Sequence, residues 1–374
     1  MSVQWKAGMV MAGIVLAGCS SSTGPTPADP PRIEKPQRVR TLWSASVGSG
    51  QGFTFQPALA AGSVYAAARD GTVMRFDEKT GDTRWRAALE LRLSGGAGAD
   101  EHTVAVASEE GEVVALEAQT GKVRWRSRVS SEVLAAPAVG SGLVLVRSID
   151  NRVFAFGADD GKRRWVYQRA PSTLLVRAPA GITLADGLAF AGFPGGKLAA
   201  LALENGAVRW EATVALPKGS TELERVTDVL GSPAAQGREV CAAAYRSRLA
   251  CFDAATGRQL WARELASLSG VSLDARYAFV ADDRGALHAL DRSNGQSVWK
   301  QDKLAHRQLS TPLAGGESIA VGDFEGYVHF LARDTGVFVA RGETGGGAVR
   351  AAPLRLGTGL LVQTENGGLF ALSL

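Results

Sequence analysis

The chain has 374 residues, of which 45% are hydrophobic and 21% charged, a balance that excludes a disordered polymer. Its 45 glycines follow no G-X-Y period, so collagen is excluded and many tight turns between short strands are implied. The net charge is +4, but Lys and Arg are interleaved with Asp and Glu and form no long run, which argues against nucleic-acid binding.

Residues 1–18 carry a positive start at Lys6 and an apolar run from Ala7 to Leu16. That run has the length of a signal-peptide core and is too short to span a bilayer as a stable helix. It ends Leu16-Ala17-Gly18-Cys19, a pattern similar to the lipobox of bacterial lipoproteins. Cleavage before Cys19 would leave that residue as a lipidated N-terminus, and Ser20, where sorting to the inner membrane favours Asp, resembles the outer-membrane class. Residues 19–38 are rich in Ser and Pro with little to bury, and read as a flexible tether.

From there a fifteen-residue unit recurs, idealised as Gly-x-Val-x-Ala-Leu-Asp-x-x-Thr-Gly-x-x-x-Trp. Copies run Gly71–Trp85, Gly111–Trp125, Asn151–Trp165, Gly196–Trp210, Ser247–Trp261 and Gly285–Trp299. The seventh, Gly326–Ala340, lacks the Trp, and the eighth begins at Gly367 and stops with the chain. A second apolar run precedes each unit (Ser63–Ala67, for example), and a small-residue segment such as Ala136–Ala138 precedes that. Each period therefore holds about four short antiparallel strands, the pattern of a propeller blade. Pairs such as Asp70-Gly71 and Thr80-Gly81 mark the hairpin turns, where positive φ is needed. Arg40-Thr41-Leu42-Trp43 is similar to the Trp segments of the repeat. Residues 39–47 are thus expected to supply the outer strand that the eighth unit lacks, making 39–374 a closed, all-β, eight-bladed propeller. The recurring indoles, Trp43, Trp85, Trp125, Trp165, Trp210, Trp261 and Trp299, are expected to fill the wedges between blades.

Reactive constellations are scarce. There is no H-E-x-x-H, G-x-S-x-G or Walker motif, and no catalytic, cofactor-binding or metal residue is assigned. His288 and His329 occupy the same repeat position and read as packing residues. Asp282-Asp283 reads as turn chemistry. Cys241 and Cys251 flank one hairpin: a three-residue turn around Arg246 would set them opposite each other for a disulfide, whereas a two-residue turn would leave two buried thiols.

The Ala-x-Asp-x-x-Thr-Gly-x-x-x-Trp core, as in Ala289–Trp299, resembles the repeat of quinoprotein dehydrogenases, which bind pyrroloquinoline quinone with calcium on the axis. Those enzymes are longer and carry an adjacent cysteine pair, absent here. Over the whole chain the sequence more closely resembles the BamB family, lipoprotein propellers of the β-barrel assembly complex. Gly219–Arg225, Leu304–Arg307 and Val321–His329 carry that likeness beyond the Trp repeat. The resemblance implies a non-enzymatic scaffold on the periplasmic face of the outer membrane that binds a POTRA domain of BamA, with unfolded barrel proteins as further clients. It places partner contacts at Leu174, Val176 and Arg177 in one loop and at Asp228 in another. Leu230 stands where the family's pattern has a second acid. These loops lengthen the two longest periods, 45 and 51 residues, as insertions on a binding face do. A quinone enzyme, or a periplasmic propeller with another partner, is the alternative.

Overall fold

The computed structural model describes residues 25–170 and 174–374; the signal segment and Cys19 lie outside the described residues. Those residues form eight four-stranded antiparallel sheets, seven of them in simple sequence order. Blade one is Ala58–Ala60, Ser63–Ala67, Thr72–Asp77 and Thr83–Ala88, from the axis outward. Its second strand is buried at every position, whereas its outermost strand is half exposed. Neighbouring blades cover both faces of the middle strands, which is why those segments read as continuous apolar runs rather than as alternating patterns.

Closure follows the expected route. Blade eight consists of Leu354–Leu356, Gly359–Gln363 and Gly368–Ser373, and its outer strand is Arg40–Ser46 from the other end of the chain. Trp43 pairs with Ala371, and the Val47 amide donates to the Gly367 carbonyl at 3.0 Å. First and last segments share one sheet, so the ring has no open end.

The indoles act between blades by one repeated device. In every blade the pairing of third and outermost strands shifts register just before the Trp position, as between Ala115–Trp125 and Leu116–Val123. The extra residue is a β-bulge, which turns the outer strand and aims the following side chain sideways. Each Trp then lies on the turn of the next blade, at a glycine preceded by Thr, Asp or Asn, and donates Nε1–H to a carbonyl three residues before that glycine. Trp85 donates to Ala118 at 2.9 Å, Trp125 to Ala158 at 2.8 Å and Trp299 to Arg333 at 2.8 Å. Gly121, with φ of 72°, has no room for a side chain: a Cβ there would sit 2.7 Å from the Trp85 ring. The Trp and Gly of the repeat are therefore one contact seen from two blades.

That pairing also explains the copy without Trp. Blade seven would place its indole on a Thr-Gly turn of blade eight, but the two chain ends meet where that turn would be. Ala340 occupies the Trp position, fully buried.

In blade five, Ala244 and Arg248 bracket a three-residue turn with Arg246 at φ 50°. Cys241 consequently stands opposite Cys251 across adjacent strands, and a buried disulfide joins them. His288 and His329 each bond, through Nε2 at 2.9 Å, the carboxylate of the hairpin-turn residue six positions earlier, Asp282 and Asp323. The other oxygen of each Asp accepts backbone amides of its own turn. Asp282 thus does turn chemistry, as read from the sequence.

Candidate functional site

The site assembles from loops that link the outermost strand of one blade to the innermost strand of the next. These all emerge on one face of the ring. Leu174–Arg177 lies in the loop between Arg163–Gln168 of blade three and Ile182–Ala185 of blade four. Leu174 is 48% exposed, Leu175 is also exposed, and Val176 is partly covered. Two neighbouring leucines held in water are an unfavourable arrangement that burial against a partner would relieve.

What holds the loop is Asp228. The family resemblance makes Asp228 a partner contact; in the structure it is only 4% exposed and turned toward the loop. One oxygen accepts the Val176 amide at 2.7 Å and the other the Gly195 amide at 3.3 Å. Burial pushes its carboxyl above the ordinary Asp value, opposed by the two amides and by the nearby Arg147 guanidinium. Arg147, desolvated in turn, is brought down to about 10 and lies over the Phe193 ring. Asp228 is therefore a positioning residue that fixes the exposed loop from beneath. Leu230, at the family's second acidic position, is buried and pairs with Ala243 in blade five.

Arg177 is also engaged within the chain. Its guanidinium forms a two-pronged pair with Glu132, at 2.5 and 3.0 Å, and lies over the Phe53 ring at 5.4 Å. The Glu132 hydrogen bond raises the Arg177 pKa and orients the planar fork, whose side chain remains more than half exposed. Arg69 covers the same Phe53 ring at 4.2 Å and pairs with Glu109 at 2.6 Å. Glu132, Phe53, Arg69 and Arg147 were not picked out in the sequence. They come from four separate segments, which the ring of blades gathers around Arg177 and Asp228.

The inner strands surround an axial cavity of about 1110 Å³, walled by short residues such as Ala97, Pro137, Gly181 and Ser232. Among the described residues no group of three or more His, Cys, Asp or Glu side chains is placed to hold a metal ion. The two propeller cysteines are joined in the blade-five disulfide.

A family model described as outer membrane protein assembly factor BamB matches residues 69–301. Relatives of that name include one from Bordetella pertussis, 45% identical over 98% of this chain and 96% of the relative. Another, from Pseudomonas aeruginosa, is 44% identical over 99% of both chains. The crystal structure of BamB from Moraxella catarrhalis superposes with a TM-score of 0.83 at 27% identity, covering 90% of this chain and all of that one. A quinohemoprotein alcohol dehydrogenase from Pseudomonas putida reaches 0.70 at 13% identity, over 90% of this chain and 76% of that one, a likeness of fold alone. Repeat, closure and full-length identity agree: the chain belongs to the BamB family of outer membrane protein assembly factors.

Proposed function

We propose that this protein is a scaffold lipoprotein of the outer-membrane β-barrel assembly machine, anchored through Cys19 on the periplasmic side, and that it binds the POTRA region of BamA. The observation that carries this reading is the exposed Leu174-Leu175 pair, presented by a loop whose backbone is pinned by buried Asp228. Exposed apolar side chains on a rigid support suit a docking site, because little conformational freedom remains to be lost on binding. In this reading Leu174 and Val176 supply apolar contact. Arg177, already oriented by Glu132, offers its outward N–H groups to a carboxylate or carbonyl of the partner. Asp228 acts through the loop and does not touch the partner.

The test is capture of this protein by the immobilised POTRA region of BamA. Binding that falls at least tenfold in a Leu174→Ala/Arg177→Ala variant supports the reading. Unchanged capture by a folded variant removes the interface.

A further inference from the structure

We propose that residues 25–38 are a docked strap along blade seven rather than a free leash, and that the strap sets Val39 into the one blade joint lacking an indole. The sequence reading made this segment part of a flexible tether. In the structure it is extended but bonded along its length. The Ala28 amide donates to the Ala305 carbonyl at 2.9 Å, and the Ala28 carbonyl accepts Nη1 of Arg307 at 2.9 Å. Pro31 presents its carbonyl to Arg341 at 2.5 Å, and the Gln37 amide donates to Val339 at 2.8 Å. Val39 packs against Gly342 and Leu372, the contact that bridges blades seven and eight beside Ala340.

The receiving side is built rather than incidental. Arg307 is only 2% exposed, and its Nε donates to Asp323 at 2.7 Å. A further guanidinium nitrogen pairs with Glu325, and the group lies over Phe324 and Tyr327. A buried guanidinium held this rigidly has one direction left for Nη1, and that direction is the Ala28 carbonyl. Arg341 is similarly braced over Tyr327, at 5.4 Å.

The composition of the strap suits docking. Five of its fourteen residues are proline, which pre-sets an extended backbone and removes amides that would otherwise need partners. Ala28 and Gln37, whose amides do bond the blades, are not proline. Ala28, Pro30, Pro31, Ile33 and Val39 are partly covered, while the charged residues between them face water.

The strap also fixes where the chain leaves the ring. Pro25 and Pro27 line the mouth of the axial cavity beside His306 and Gln308. The loop holding Ala305 and Arg307 links blades six and seven and emerges on the face that carries Leu174. On the lipid-anchor reading above, the spacer between Cys19 and the ring shrinks from the whole segment to the six residues before Pro25, roughly 20 Å when extended.

Hydrogen exchange of the full mature chain tests the strap. The Ala28 and Gln37 amides should exchange at least tenfold more slowly than in an unstructured peptide. Arg341→Ala should lower that protection with the blade amides unchanged. Unstructured rates at both amides in the unaltered protein overturn the proposal, whatever becomes of the variant. A second arm uses lipidated protein on phospholipid vesicles, with energy transfer from a label on the Leu174 face to a membrane dye. Replacing 25–36 by Gly and Ser should lengthen that distance, and an unchanged distance counts against the strap. Protein that does not bind vesicles at all overturns the anchor reading and leaves the exchange result to judge the strap.

Discussion

The indole Nε1 of Trp43 donates to the carbonyl oxygen of Glu78 at 2.9 Å, the same bond that every other inter-blade Trp makes, although Trp43 arrives from the opposite end of the chain. It lies in the outer strand of blade eight and rests on Gly81 of blade one. One side chain therefore serves both a blade interface and ring closure.

Trp43→Ala should cost more than the same change elsewhere in the ring. Removing any buried indole costs about 3–5 kcal/mol through lost contact area and a residual cavity. At Trp43 the loss also loosens the sheet in which Arg40–Ser46 closes the ring against Gly368–Ser373. Urea unfolding of Trp43→Ala and Trp125→Ala, compared with the unaltered protein, checks this. The Trp43 variant should unfold at the lower midpoint, and its Arg40–Ser46 amides should lose exchange protection first. Equal midpoints and equal protection would mean closure is carried elsewhere.

The converse contact gives a second prediction. Gly121→Ala adds one methyl group, yet that atom would fall 2.7 Å from the Trp85 ring, at a φ of 72° that disfavours Ala. The indole must shift and its bond to Ala118 must weaken. Thermal unfolding should show a loss of at least about 1–3 kcal/mol, as for overpacking in a core. A Trp85→Leu/Gly121→Ala double variant should lose less than the sum of the two single changes, because the clash disappears with the ring. Simple additivity would mean that the two residues do not act as a pair.

Much of this was legible because the repeat puts the same chemistry at fixed offsets. Blade number and the role of Arg40–Ser46 follow from counting along the chain, whereas counting leaves two registers open for Cys241 and Cys251, and the three-residue turn around Arg246 decides between them. The bulge before each Trp was not legible, since a single extra residue leaves no mark in a pattern of apolar runs. The site was half legible. The resemblance groups Leu174, Arg177 and Asp228 as partner contacts, and spacing does not show that Asp228 lies buried beneath the loop that carries the other two. Glu132 reaches Arg177 only because three blades curve around a common axis, a relation no linear spacing records. The proline-rich segment before residue 39 read as unbound for a different reason. Composition reports what a chain can bury by itself, and it is silent about a groove that awaits it on a distant blade.

His329 gives the stability a pH dependence. Burial holds its pKa below the ordinary 6.5, with Asp323 opposing and with Arg341 and Arg307 adding to the depression. Between the folded value and 6.5 the unfolded chain binds a proton that the folded chain does not, so stability falls as pH drops through that window. The carboxylate of Asp323 is itself held below the usual Asp range by His329 and Arg307, against its desolvation, and its contribution is lost in a lower window, below 3.8. Denaturant unfolding at pH 7.5 and pH 5.5 should show the loss. His329→Gln should reduce it, since that variant has no proton to take up at the site. A pH dependence identical to that of the unaltered protein would move the cause away from His329.

Asp228 separates positioning from contact. Both of its oxygens are occupied by amides, from Val176 and Gly195, and almost none of its surface reaches solvent. Asp228→Asn keeps one carbonyl acceptor for the Val176 amide, so the loop can remain tethered although Arg147 loses its facing charge. Asp228→Ala leaves buried donors without partners, a penalty of roughly 1–3 kcal/mol, and releases the loop beneath Leu174. In capture by the POTRA region, the Asn variant should bind within a few-fold of the unaltered protein, and the Ala variant should lose at least tenfold while keeping its far-ultraviolet circular dichroism. If both variants lose binding equally and both keep the Leu174 loop protected from hydrogen exchange, the carboxylate itself meets the partner, and the loop-positioning role is wrong.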